Sequence, residues 1–378
     1  MTQRITTIGL LITSFAVSGL TVIAQSGRVR ERPRQTDNPG DSFKLRVEEV
    51  LLPVSVRTSS GSNLGTLHQS DLVVTEDGER RVVTSVMRTP ANVLFILDVG
   101  GEGVLKNINL NRDLALKMID QLGPDDQAAI LTYGDRVNLI SGWTKDRKAL
   151  RDAIKWKVRP GLACEFYAGL MFAADEVLQR VSGRRNVVLM TDGVDSFDNH
   201  SFERALAALH RSRATLYVAS HSTMLMKKIK PDAFNPFTWL EMIDAGQRAR
   251  IGFLRIYYKQ LEAAEVTLKG FAEETGGIAF YPLSETEFTS LDRQILSEMN
   301  TEYIIAYQSQ RPVEDAAFHS TRVIPTRVDL QVRSRRGVYS NVFRPEAKGS
   351  PGPPAAPKPK STASLILRKA GCCGAAVC

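Results

Sequence analysis

Cysteine is scarce in this chain of 378 residues: Cys164 stands alone in the body, and Cys372, Cys373 and Cys378 crowd into the tail. That distribution excludes a disulfide framework and leaves Cys164 to be read as a small buried apolar side chain. Histidine is nearly as sparse, and His68, His200, His210, His221 and His319 are dispersed without HExxH spacing, so a catalytic zinc site has no support. No GxSxG nucleophile elbow occurs either. The formal charge is +8, but the basic residues are scattered. No basic helix or aromatic stacking platform accompanies them, which excludes nucleic acid as the expected partner.

What is present divides into segments. Residues 1–24 have the three-part form of a secretory signal: Arg4, an apolar stretch from Ile5 to Ile23, and small residues before a cleavage point after Ala24. The alternative is an uncleaved membrane anchor, because the stretch approaches spanning length. Either way the rest of the chain is expected outside the cytoplasm. Residues 25–41 read as a flexible leader rich in Arg, Pro, Gln and Asn. Residues 42–90 then alternate apolar with polar, and Asp77-Gly78 between two apolar runs predicts a hairpin.

From Ala91 the pattern changes. Strands are predicted at VLFILD, QAAILTYG, VVLMTDG, ATLYVASH and IAFYPL, with amphipathic helices between them. Continuous apolar strands alternating with such helices imply a doubly wound, mostly parallel α/β sheet covered on both faces. This body is expected over 91–301, interrupted at 222–256 by a mixed basic and aromatic segment that reads as a lid, a partner-binding insertion or a surface excursion. Strand character returns over 302–345. These strands resemble the N-terminal unit, so the two flanks are expected to build one β-sandwich with the α/β body inserted in it. Residues 346–378 form a Pro-rich linker and a tail.

The most informative stretch is VLFILDVGGEG, Val93 to Gly103. A buried strand delivers Asp98 to a glycine-rich loop. A dinucleotide-binding loop would need GxGxxG spacing and would not place a carboxylate beside the pyrophosphate. A phosphatase nucleophile would need further acid and lysine groups nearby. A cation site fits better, because a second apolar strand, NVVLMTDG, also ends in an acid, Asp192. Hard oxygen ligands at two adjacent strand ends suit Mg²⁺, Mn²⁺ or Ca²⁺. The acids and histidine of TDGVDSFDNHS are better read as capping, with Asp198, Asn199 or Ser201 starting the following helix.

The order LFILD, TYGDRV, GLACEFYAGL and VVLMTDGVDS resembles a von Willebrand factor type A domain. The flanking motifs LPVSVRTSSG, YIIAYQ and VDLQVRSRRGVY are similar to those of exported acidobacterial-type proteins of that family. The resemblance covers roughly residues 44–343. It implies a metal-ion-dependent adhesion site built from DxSxS, a later Thr and a strand-end Asp, completed by an acidic group of a partner. Asp98 matches the first Asp and Asp192 the last. Gly100 and Glu102 stand where the two serines belong, and the Thr position falls on Cys164, or on Glu165 if the loop shifts by one. The candidate ligands for a divalent cation are therefore Asp98, Glu102, Asp192 and Glu165, in a degenerate site. The resulting expectation is an exported, non-enzymatic protein that binds or scaffolds a protein or surface ligand. Membrane contact is expected only through an uncleaved N-terminus. The rival is an exported metal-assisted hydrolase using the strand-end carboxylates.

Overall fold

The computed structural model describes residues 48–61, 64, 66–101, 108–197, 201–234, 244–310 and 317–339. The signal, leader, linker and tail expectations lie outside them. No helix among the described residues is long and apolar enough to cross a membrane.

At the centre is a six-stranded sheet of β5 (Ala91–Asp98), β6 (Gln127–Tyr133), β7 (Val137–Thr144), β8 (Arg184–Thr191), β9 (Thr215–Ser220) and β10 (Ile278–Phe280). Its order is β10-β9-β8-β5-β6-β7, and every pairing is parallel except β6 with β7. All eight residues of β5 are buried, as a strand covered on both faces requires. Val93, Phe95 and Leu97 face one core, which includes α1 (Ile108–Gln121), α2 (Arg147–Lys157), α7 (Glu285–Thr289) and α8 (Leu291–Met299). Leu94 and Ile96 face the other, shared with α3 (Phe166–Phe172), α4 (Phe202–Ser212) and the C-terminal half of α6 (Ala245–Thr275).

The flanks form two four-stranded sheets, each mixing strands from both ends of the chain. One has β13 (Leu330–Ser334), β1 (Glu48–Thr58), β11 (Glu302–Ser309) and β4 (Val83–Met87) in that order. The other has β14 (Gly337–Tyr339), β12 (Phe318–Pro325), β2 (Leu72–Glu76) and β3 (Glu79–Arg81). Val50, Leu52, Val54 and Val56 of β1 meet Tyr303, Ile305 and Tyr307 of β11 and Val74 of β2 in one core. The predicted hairpin is present: Asp77 and Gly78 join β2 to β3 with φ of 48° and 84°, the left-handed pair that a two-residue turn between twisted strands needs.

Three features differ from the sequence pattern. β7 is an additional antiparallel edge strand; its residues are half-buried or exposed, so it carries no clear apolar signal. Residues 165–181, whose apolar spacing predicts one continuous helix, break after α3 into a π-helical turn (Ala173–Val177) and a 3-10 turn (Leu178–Arg180). No glycine or proline lies in residues 173–180, whereas Ala173, Ala174, Val177 and Leu178 are all buried, so packing sets the local geometry. Finally, the described residues of the 222–256 segment are mostly helical, with α5 (Ser222–Ala233) packed on the first half of α6 through Leu225, Ile229, Ala233, Leu254, Tyr257 and Leu261. Residues 235–243 between them lie outside the described set. α6 ends at Gly276, whose φ of 80° is the left-handed closure a helix C-terminus favours.

One buried carboxylate ties the α/β sheet to the flanking strands. Glu302, at the start of β11, is 1 % exposed. It accepts hydrogen bonds from Asn186 Nδ2 at 2.5 Å and Thr215 Oγ1 at 3.2 Å, at the N-terminal ends of β8 and β9. Burial raises its pKa, against the opposing pull of the Arg184 charge and these hydrogen bonds.

Candidate functional site at the strand ends

β5 and β8 are neighbours, with Leu97 opposite Met190. Asp98 closes the first strand and Asp192 follows the second, so both carboxylates reach the same rim of the sheet. The connections leave this point in opposite directions, towards β6 on one side and β9 on the other. Such a switch point opens a crevice beyond the strand ends.

The crevice is lined by a hydrogen-bonded network. Asp98 is 3 % exposed and Asp192 fully buried. Asp98 Oδ1 accepts from Gly100 N at 3.0 Å and from the Cys164 thiol at 3.5 Å. Its Oδ2 accepts from Thr191 Oγ1 at 3.1 Å, and that hydroxyl in turn accepts from the Tyr133 phenol at 2.6 Å. Burial first, then the nearby Asp98 and Cys164, hold the Tyr133 phenol well above its ordinary pKa, which keeps it a donor. Asp192 Oδ1 accepts from Val194 N at 3.0 Å, and its Oδ2 from the Tyr257 phenol of α6 at 2.6 Å.

The surrounding loops are stitched together by their backbones. Gly161 N donates to Val99 O, Glu165 N to Gly134 O, and Ser196 N to Cys164 O. Asp135 Oδ1 accepts from Leu162 N and Ala163 N at 2.9 and 2.7 Å, pinning the segment before α3. That segment crowds Gly100. A Cβ there would overlap the Ala163 carbonyl oxygen and Cys164 Sγ, and would sit 2.8 Å from the Ala163 carbonyl carbon. The residue that lacks a hydroxyl is thus one at which this loop geometry has no room for a side chain.

Glu165 occupies the N-cap of α3 without making a side-chain cap. Asp195 makes it instead, accepting from Tyr167 N at 3.0 Å. Among the described residues, the Glu165 carboxylate makes no hydrogen bond to the residues around Asp98 and Asp192. Glu102, Asp198, Asn199 and His200 lie outside the described residues. Ser201 caps α4, accepting from Arg204 N.

The described residues of this set do not fit a hard divalent cation. Gly100 offers no side-chain oxygen, and Cys164, one of the two positions at which the resemblance places the family's threonine, carries a soft thiol bonded to Asp98. Both carboxylates receive hydrogen bonds from protein donors. Among the described residues no group of three or more His, Cys, Asp or Glu side chains is placed to hold a metal. The rim itself is exposed and partly apolar, with Leu162 at 88 % and Phe197 at 40 %.

Tyr257, Thr191 and Tyr133 escaped the sequence reading. Thr191 adjoins Asp192 in the TDG motif and was within reach; Tyr257, just past the interrupting segment, has no local signal. Tyr257→Phe should keep the ring stacked on Phe253, with centroids 6.0 Å apart, while losing the bond to Asp192. We expect about 2 kcal/mol of destabilisation by urea denaturation, as for hydrogen bonds to charged groups. A loss below about 0.5 kcal/mol would mean that the phenol does not hold this carboxylate in place.

Residues 93–194 match the family model described as von Willebrand factor type A domain. No curated protein sequence matches the chain. Among solved structures, the chain is similar to proximal thread matrix protein 1 from the mussel byssus, described with a zinc-occupied MIDAS motif. The identity is 17% and the TM-score 0.39, covering 57% of this chain and 46% of that one. It is also similar to an aerotolerance-related membrane protein from Bacteroides fragilis, with 16% identity and TM-score 0.36, covering 56% of this chain and 98% of that one. A third is the vWF domain of the type V pili tip protein Mfa5 from Porphyromonas gingivalis, with 19% identity and TM-score 0.24, covering 30% of this chain and 42% of that one. The chain therefore spans less than half the length of the thread and pili structures.

Proposed function

Because residues 93–194 form a von Willebrand factor type A domain, we propose that this is an exported, non-enzymatic binding or scaffold protein. It engages a protein or surface ligand over the strand-end rim and needs no resident cation to do so. The observation that carries this reading is the engagement of both strand-end carboxylates by donors of the protein itself: Cys164 and Thr191 for Asp98, and Tyr257 for Asp192. Carboxylates held in this way are not presented to a partner's acidic group through a metal. Recognition is left to what the rim exposes, Leu162 and Phe197 among it. Export rests on the apolar Ile5–Ile23 stretch and the small residue Ala24.

The test uses the full chain carrying a photo-reactive cross-linker at Leu162, exposed to the cell envelope and the culture medium. A single reproducible adduct, unchanged by EDTA and lost with Phe197→Glu, is expected. Thermal melts with millimolar Mg²⁺, Mn²⁺ or Ca²⁺ should coincide with the melt in chelator, because an ion bound only by the native state would raise the midpoint by mass action. A cation-dependent rise, or an adduct abolished by EDTA, would refute the metal-independent reading.

A further inference from the structure

Beside the crevice, β7 and the loop leading out of α2 enclose an open groove of about 530 Å³, within the ~300–1,000 Å³ range of ligand clefts. It shares Val99, Gly134 and Gly161 with the strand-end loops, so it is continuous with the site described above. Its apolar lining comes from Val99, Leu139, Ile140 and Pro160. Three cations stand around it, Arg136, Lys157 and Arg159, against one carboxylate, Asp135.

The three cations differ in what occupies them. Lys157 Nζ donates to Ile140 O at 2.9 Å and braces the two walls. It also lies in the last turn of α2, where a positive charge suits the helix C-terminus. Arg159 makes only a 3.4 Å contact with the neighbouring Val158 carbonyl. Arg136 has no ion-pair partner among the described residues, and both arginines are exposed. One carboxylate leaves two of the three positive charges uncompensated, and Asp135, whose Oδ1 accepts from Leu162 N and Ala163 N, makes no ion pair with them among the described residues.

We infer that this groove is a docking site for an acidic polypeptide segment, its carboxylates taken by Arg136 and Arg159 and its apolar side chains by Leu139, Ile140 and Pro160. Planar guanidinium groups with open donors pair carboxylates in bidentate fashion. A single-stranded nucleic acid is the weaker match, because no aromatic ring lines the groove to stack a base. The inference rests on the proposed role in partner binding and names the chemistry of that partner.

The experiment titrates the full chain into a fluorescein-labelled, end-capped glutamate-rich dodecapeptide containing two leucines, followed by anisotropy at 50 mM NaCl. Saturable binding is expected, unaffected by EDTA and weakened at least fivefold at 300 mM NaCl. Arg136→Glu with Arg159→Glu should weaken it at least tenfold without moving the thermal midpoint, and Arg136→Ala with Arg159→Ala should give an intermediate loss. Equal affinity in the charge-reversed variant, absence of saturation, or equally tight binding of a labelled oligothymidylate would overturn the groove assignment. If peptide binding fails while the Leu162 adduct still forms, the groove assignment alone falls. If both fail, the proposed function falls with it.

Discussion

Gly100→Ser is expected to destabilise the protein by about 2–4 kcal/mol, at or above the upper end of ordinary overpacking, even though serine is the family's own residue there. The new Cβ would overlap the backbone carbonyl of Ala163 as well as the Cys164 thiol. A side chain can rotate away; the carbonyl is less free, because Asp135 ties Leu162 N and Ala163 N to the β6–β7 turn. Cys164→Ala in the same chain should therefore recover only part of the loss. The measurement is urea denaturation of the two variants beside the wild type. Serine tolerated at no cost, and joined by a new stabilisation by Mg²⁺, would mean that residues 163–164 move aside readily and that the crevice can accept an ion.

The second large effect is at Glu302. Glu302→Ala should cost about 3–5 kcal/mol, the range for removing one partner from a buried charged network. It strands the Asn186 amide and the Thr215 hydroxyl and removes a carboxylate that feels the charge of Arg184, whose Nε has no hydrogen-bond partner among the described residues. Glu302→Gln should cost much less, because its amide oxygen still accepts. The pair also separates by pH. Burial raises the folded-state pKa of Glu302, so the fold favours the protonated acid. That contribution is complete below the unfolded carboxyl value of about 4.3 and is lost as pH rises through the raised folded value. Glutamine does not titrate, so the stability of Glu302→Gln relative to wild type should improve with rising pH from about 4.3 upward. Urea midpoints across that range check it; a constant gap would show that Glu302 does not titrate there.

Some of the fold was legible because it repeats a local rule. The apolar runs within β5 and β8, the Asp77-Gly78 turn and the Ser201 cap each follow from residues a few positions apart. β7 was not legible, because an edge strand that buries little has little pattern to show. Neither was the break after α3, where no local breaker exists and the buried side chains of Ala173 to Leu178 choose the geometry. The 222–256 segment hid its helices for a related reason: its apolar residues serve a small core of their own with α5 and α6 facing each other, amid many basic side chains.

The sequence by itself determined that Asp98 and Asp192 end two apolar strands of a doubly wound sheet, since strand periodicity and strand-ending acids are local facts. It also determined that position 100 carries no side-chain oxygen and that position 164 carries a thiol, since that is a matter of which atoms are present. Only the tertiary structure decided what those acids bond to. Thr191, Tyr133, Cys164 and Tyr257 reach the crevice from two strands, a loop and a helix; Thr191 adjoins Asp192, but the spacing of Tyr133 and Tyr257 along the chain carries no signal, and a buried carboxylate takes the donors that packing places within about 3 Å. The same holds for Glu302, whose partners Asn186 and Thr215 are remote in sequence and meet it because the flanking strands close on the base of the central sheet.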